Sequence, residues 1–356
     1  MSQLNMDRLM QFMGKVVGDL GSSMSTPLVI LGDKLGLYKA LAAAGPAGLT
    51  SAELAGATKT HERYIREWLV NQAAGGYVEF DAKAGRYSMT PEQGAALADE
   101  TSPCHVPGGF YIAMSMARDI SKIESAFRTG EGVDWGEHDS DLFCGTELFF
   151  SASYRANLIA SWLPALEGVV AKLERGVTVC DVGCGHGAST MIMAKAFARS
   201  TFVGVDAHAP SIECATKRAA KMGLGDRCTF VTANASGYAG PAGGYDFICF
   251  FDCLHDMGDP VGAARHARKS IKADGTAMIV EPAAADDVSG NLNPVGRVFS
   301  AASTMICVPA SIKHKGPALG AVAGEARMTK VLNEGGWGHV RKATATAFNM
   351  ILEARP

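Results

Sequence analysis

VTVCDVGCGHGASTMIMAKAFARSTFVGVD, Val177 to Asp206, is the stretch that decides how this chain folds. Val177, Val179 and Val182 fit a short buried strand. Gly183, Gly185 and Gly187 follow at alternate positions and predict a turn. Ala188 to Ala198 has helical spacing, with Ile192, Ala196 and Phe197 apolar, and Thr201 to Val205 is a second β-rich run ending in Asp206. Strand, glycine turn, helix and strand make one βαβ unit. Without a Cβ the turn can take φ > 0, and a ligand can come close to the backbone. Asp206 ends the second strand, where a carboxylate can accept bonds from both hydroxyls of a ribose. Asp181 ends the first, where it can accept from a ligand ammonium or brace the loop. GCGHGA fits the dinucleotide fingerprint G-x-G-x-x-G/A, so the glycines alone leave the cofactor open.

The chain has 356 residues, room for one large or two ordinary domains, and 47% of them are hydrophobic, enough for a substantial core. A net charge of −3 gives no general pull toward nucleic acid or an anionic membrane. MSQLNMDRLM lacks the charged-then-apolar layout of a signal peptide, and no apolar run reads as long enough to span a bilayer. The nine scattered cysteines are odd in number, which points to reduced thiols and a cytoplasmic protein. Cys180/Cys184 and Cys249/Cys253 are spaced by four inside apparent strands and turns. They read as small buried hydrophobes rather than zinc ligands, and no metal site is expected.

Residues 5–44 read as helical. Leu9, Met10, Phe12, Met13, Val16 and Val17 make one apolar face, and Leu28 to Leu41 another, too apolar for a free surface helix. Such faces belong either to the core or to a second subunit. Thr50 and Ser51 are placed to cap a short helix at Ala52–Ala55. A longer helix runs from His61 to Ala74, ended by Gly75 and Gly76. Tyr77–Phe80 and Arg86–Met89 read as a hairpin. Helix, turn, helix and a two-stranded wing form a winged-helix pattern. Residues 1–100 hold 9 Lys+Arg against 11 Asp+Glu, 9 − 11 = −2, so this half lacks the basic face of a DNA binder and reads as a dimerisation module.

Residues 101–165 read as a helical connector whose aromatics either line a substrate pocket as a lid or simply pack between the domains. Met114–Phe127 and Glu147–Leu163 are expected helices, and the polar GVDWGEHDSDLF lies between them. Beyond Asp206 the βα alternation continues. A helix at Ser211–Met222 leads to strands at Cys228–Thr232, Tyr245–Phe251 and Thr276–Val280, and Asp259 and Pro260 open a helix through Ile271. After a helix at Gly324–Gly336, Val340–Thr346 and Phe348–Glu353 are expected to pair as an antiparallel hairpin. A parallel sheet with an antiparallel end fits a plain dinucleotide fold poorly.

Residues 170–356 resemble a class I SAM-dependent methyltransferase: DVGCGHG matches its first motif, GVDAH its second, and YDFICFFDCLHDMGDP its fourth-strand motif. The amino-terminal half resembles the winged-helix dimerisation domain of O-methyltransferases, and the whole is most similar to a bacterial, mycobacterial-type subgroup. The resemblance implies an α/β chain: a Rossmann-like doubly wound sheet with an antiparallel last strand, behind a mainly helical winged-helix domain. It implies domains at 1–100, 101–165 and 166–356, a homodimer, a small-molecule acceptor, and S-adenosylmethionine (SAM) yielding S-adenosylhomocysteine (SAH). Cofactor contacts are then expected from Asp181, Gly183, Cys184, Gly185, Gly187, Asp206, Ala207, Asn234, Ala235, Phe251 and Asp252. Asn234 stands where the family often carries an acid, and its amide oxygen can still accept from an adenine amine.

His255 lies just past the fourth strand, at the carboxyl end where open α/β sheets hold ligands. CLHDMGD resembles the His-Asp element of plant-type O-methyltransferases, in which this histidine is the general base. An ordinary imidazole pKa of ~6.5 suits that task. Glu281 resembles the acid that orients the ring, and Glu325 offers a second such acid. Asp256 has a plainer role available as a helix cap. Two other functions stay open at this point. One is a nicotinamide-dependent oxidoreductase, for which no hydride-transfer constellation is visible. The other is a SAM-binding regulator that uses its winged helix without turnover.

Overall fold

Apolar spacing and capping residues build the amino-terminal half. The structure is a computed structural model describing residues 4–356, divided into two units: residues 4–117 with Ser140–Ala152, and Arg118–Asp139 with Ser153–Pro356. The residues expected as a linker at 101–165 are shared between them. The first unit runs α1 (Met6–Lys34), α2 (Leu37–Ala44), α3 (Ser51–Thr58), α4 (Glu62–Ala74), β1 (Glu79–Asp81), β2 (Arg86–Ser88), α5 (Pro91–Leu97) and α6 (Pro107–Arg118). Thr50 caps α3 reciprocally with Glu53, and Thr90 caps α5 with Gln93. The wing is antiparallel, with the Phe80 and Tyr87 rings 4.6 Å apart.

Val29, Leu37, Leu41, Leu54, Ile65 and Leu69 form the core of this unit. Each contributes roughly 1.5–3 kcal/mol by full burial. Gly32 lets α1 lie against α2 and α4: a Cβ there would stand 2.5 Å from the Tyr38 ring and 2.7 Å from that of Trp68. The first half of α1 does not join this core. Met10, Phe12, Val17 and Met24 are 60–75% exposed. On α4, Arg63 pairs with Glu67 and Arg66 with Glu62, so its cations are matched by acids on its own face.

The second unit opens with α7 (Ile120–Thr129), while α8 (Asp141–Asn157) passes from one unit to the other. The single helix expected at Met114–Phe127 is two, broken at Asp119, whose buried carboxylate serves His138, Lys122 and the Asp139 N–H instead. The helix expected at Glu147–Leu163 starts earlier and gives way to a π turn at Leu158–Trp162. Then follow α9 (Val169–Arg175), β3 (Thr178–Val182), α10 (Ala188–Ala196), β4 (Thr201–Asp206), α11 (Ala209–Lys221), β5 (Cys228–Thr232), β6 (Tyr245–Phe251), α12 (Pro260–Ser270) and β7 (Ile271–Pro282). The chain ends with α13 (Pro294–Ala302), α14 (Val308–Lys313), α15 (Gly324–Glu334), β8 (His339–Ala345) and β9 (Asn349–Arg355). A π turn at Ser303–Cys307 joins α13 to α14.

The seven strands lie in the order β5-β4-β3-β6-β7-β9-β8, with β9 antiparallel to both β7 and β8. This is the expected Rossmann-like sheet with its antiparallel end. From β3 the chain order runs outward in both directions, so the ligand crevice falls at the carboxyl ends of β3, β4 and β6. Buried Ile248, Phe250, Ile279 and Leu352 fix the sheet against its helices. One expectation changes: Pro294–Lys313 is a continuous 20-residue helical run, long and apolar enough to cross a membrane, although 44% of it is buried in the fold. Interruption by Arg297 and Pro309 hides it in the sequence.

Candidate active site

The glycine turn after β3 contains three glycines, two required by packing and one open to a ligand. All three take positive φ, at 74°, 52° and 76°. A Cβ on Gly183 would collide with Cys253 Sγ at 2.6 Å, and one on Gly187 with the Phe230 ring at 2.7 Å. Those two are demanded by packing. Gly185 has no atom within 4 Å of its Cβ position, so it opens toward free space. Cys184 turns inward, its thiol beside Gly204 and its pKa raised by burial. The described cysteines are all free thiols.

Asp206 ties the turn to β4. Its Oδ2 accepts from the Gly185 N–H at 2.9 Å and its Oδ1 from the His208 N–H at 2.8 Å, while Ala207 between them is exposed. Asp181 is almost fully buried. Its Oδ2 accepts from Ser189 and Thr190 hydroxyls, each at 2.6 Å, and its Oδ1 has no partner. Burial pushes its pKa up to about 6, against those two hydroxyls. A buried carboxylate oxygen without a donor costs roughly 1–3 kcal/mol, a cost a ligand ammonium would remove. Asn234 lies in the exposed loop after β5, but its Oδ1 already accepts from the Ser236 N–H and hydroxyl. An adenine amine would have to share that oxygen. Ala235 beside it is half-buried.

At the end of β6, Phe251 is buried with its ring 5.1 Å from that of Tyr154. Asp252 adopts φ 49°, a strained conformation for a non-glycine residue, worth on the order of 1–3 kcal/mol. Its two oxygens are held by the Tyr154 hydroxyl and the Asn349 amide, both at 2.8 Å. Burial and the nearby Glu281 charge push its pKa up to about 8. Tyr154 is one of the aromatics expected on the connecting helix, but its bond to Asp252 was not expected, and Asn349 carried no signal. Both reach Asp252 from distant parts of the chain, although the aromatic run around Tyr154 carried a signal.

His255 sits in a 3-10 turn, Leu254–Asp256, and is buried. Its Nδ1 meets Glu281 Oε2 at 2.5 Å, and Glu281 Oε1 accepts from the Leu254 N–H at 3.1 Å. Burial works to lower the pKa of the ring, but the Glu281 carboxylate and then Cys307 outweigh it. They hold it well above the ordinary imidazole range expected from sequence. A ring nitrogen of His255, a carboxylate oxygen of Asp256 and Cys307 Sγ lie within 4.8 Å of one another, and with Nδ1 taken by Glu281 the nitrogen left without that acid is Nε2. Asp256 does not cap the next helix. Asp259 does, accepting from the Gly262 N–H at 2.7 Å, while burial pushes Asp256 up to about 7. Glu325 is in the first turn of α15, where Lys342 engages its carboxylate. A buried histidine with an oriented ring, an acid behind it and a glycine turn nearby can move a proton next to a bound nucleotide.

Residues 173–336 match the family described as methyltransferase domain, and residues 23–99 the Rv2258c-like winged HTH domain. The release factor glutamine methyltransferase of Agrobacterium fabrum (strain C58 / ATCC 33970) is 30% identical over 111 residues, 31% of this chain. The match spans only 37% of that relative's length. Human N-acetylserotonin methyltransferase, solved in complex with SAM, superposes with a TM-score of 0.69 at 16% identity, covering 99% of this chain and 98% of that one. The O-methyltransferase NcsB1 from neocarzinostatin biosynthesis, in complex with SAH and 1,4-dihydroxy-2-naphthoic acid, does so at 0.57 and 19%, covering 96% and 98%. At such identities the likeness of the solved structures is one of fold. The family matches set aside the oxidoreductase: residues 173–336 form a class I SAM-dependent methyltransferase domain, and residues 23–99 ahead of it an Rv2258c-like winged helix-turn-helix domain.

Proposed function

We propose that this protein methylates a hydroxyl of a small phenolic or enolic molecule, with SAM as donor, His255 as general base and Glu281 as the group that orients it. The observation that carries this reading is the 2.5 Å contact between His255 and Glu281 beside the glycine turn. SAM, when bound, supplies a sulfonium methyl open to in-line displacement by an oxygen. The residues present fit it: Gly185 leaves its backbone approachable, Asp206 stands where ribose hydroxyls are recognised, and Asp181 Oδ1 lacks a donor. Holding both reactants in line contributes on the order of 7–11 kcal/mol. Phe251 and the buried His255 turn keep water from the reacting oxygen.

His255 Nε2 takes the acceptor's proton when the ring is neutral, and Glu281 then stabilises the imidazolium that results. The resting ring favours its protonated form, so the base-competent fraction grows as pH rises. An already acidic hydroxyl suits such a base better than an aliphatic one, and NcsB1 with its bound dihydroxynaphthoic acid is in keeping with that class. Mass spectrometry of the purified protein should detect bound SAM or SAH. In Asp206→Ala, calorimetry should show SAM binding weakened by roughly 1.5–3 kcal/mol per lost bond. Unchanged affinity would overturn the cofactor assignment.

The proposal extends to assembly. The protein acts as a cytoplasmic homodimer joined through residues 1–100, without nucleic acid. The exposed apolar half of α1 and the self-paired arginines of α4 support this. A monomer mass by light scattering at micromolar concentration would count against it.

A further inference from the structure

We propose that His255, Asp256 and Cys307 form a three-ligand site for a borderline-soft divalent transition metal, with zinc the best match. One donor atom from each lies within 4.8 Å of the others. The ligands of one tetrahedral zinc ion stand about 3.3–3.7 Å apart, so side-chain shifts of about 1 Å close the set. The donors are an imidazole nitrogen, a carboxylate oxygen and a thiol sulfur. Sulfur excludes magnesium and calcium, and nitrogen with sulfur selects zinc or cobalt.

Two features make this a built site. Glu281 holds His255 through Nδ1 at 2.5 Å, which leaves Nε2 as the ligand atom and fixes the ring plane. That is the carboxylate–histidine arrangement that supports ligating histidines at zinc centres. The charges also close: one thiolate and one carboxylate neutralise one dication, so the ion can be held in a buried position. The fourth coordination place is left for water or another small oxygen donor.

Coordination takes the Nε2 lone pair, so a bound metal and a proton-accepting His255 exclude one another. That consequence rests on the function proposed above; the site itself does not, and it is tested without cofactor or acceptor. Titrating cobalt(II) into the full-length protein should give one equivalent of tetrahedral d–d absorption with a thiolate-to-cobalt charge-transfer band, displaced by one equivalent of zinc. Cys307→Ser should abolish the charge-transfer band, with Cys307→Ala as a second test of the thiol. Glu281→Gln should weaken binding by about 10–100-fold, and Asp256→Asn by more. Circular dichroism checks that each variant is folded. A wild-type protein without the thiolate band, a band that survives both Cys307 substitutions, or an affinity indifferent to Asp256→Asn would each overturn the proposal.

Discussion

The second unit buries two histidine–carboxylate pairs, and they are opposites. His138 Nδ1 meets Asp119 at 2.9 Å, and His255 Nδ1 meets Glu281 at 2.5 Å, with all four side chains at most 5% exposed. Asp119 also receives Lys122 Nζ at 2.6 Å and the Asp139 N–H at 3.0 Å. Burial works to raise its pKa, yet these donors outweigh it and hold it below the usual carboxylate range. Glu281 has no such cation among its described partners. Its surroundings are Asp252 and Asp256, both pushed up toward neutrality, and a thiol. The first pair is closed by contacts within one short stretch of chain. The second is assembled from three stretches and carries excess negative charge that a proton, a substrate or a metal can use. A buried histidine–acid contact alone therefore marks neither structure nor chemistry; what surrounds the acid decides.

The sharpest way to break this contrast is turnover. His255→Ala should lower kcat by roughly 10²–10⁴ with SAM affinity nearly intact, and His138→Ala should leave kcat per folded molecule unchanged. Near-wild-type turnover of a poorly acidic hydroxyl by His255→Ala would remove the base. Stability should show the reverse order of importance for His138. Its loss takes one charge-assisted bond from Asp119 and should lower the unfolding free energy by roughly 1.5–3 kcal/mol, read as a lower denaturant midpoint.

The two sites should also differ in the sign of their pH dependence. Asp252 holds its proton more tightly folded than unfolded. Its contribution to stability is fully present below the unfolded pKa of ~3.9 and is lost as pH rises through about 8. Asp119 is the converse, stabilising above ~3.9 and losing that effect as pH falls through its lower folded value. Denaturation of Asp252→Asn across about pH 4–8 should show a flatter decline than wild type. An unchanged slope would mean that Asp252 is not the group titrating. The smallest effect belongs to Glu325. Its pair with Lys342 is solvated, so Glu325→Gln should shift stability by about 0–1 kcal/mol and leave kcat alone. A large loss of kcat would place it in the proton pathway.

Short-range pattern explains what the sequence made legible. The strand, glycine turn and helix after Thr178, the FICFF strand and the closing hairpin each depend on neighbours within a few residues, and the structure places them within a residue or two of expectation. His255 and Glu281 were legible as a pair through the family resemblance, one just past the end of β6 and the other near the end of the neighbouring β7. The break at Asp119 was not, since it depends on a histidine beyond the next helix. Nor were the Tyr154 and Asn349 clamps on Asp252, or Cys307 beside His255, because those contacts come from packing of distant segments. The side-chain amide of Asn234 is a milder case: the residue type was read, but the capture of its oxygen by Ser236 is a turn geometry that one letter does not reveal.

Cys307 is the last residue of the π turn at Ser303–Cys307. Each residue of an α-helix advances the side-chain direction by about 100°, so the wider turn resets the angular phase of everything after it. A chain with one residue deleted from this turn would keep the cysteine, the helix and its hydropathy. Its thiol would point about a quarter-turn or more away. Alignment would score that change as a single gap in an unremarkable apolar stretch. What sets the thiol beside His255 is thus the number of residues in the turn as much as the cysteine itself.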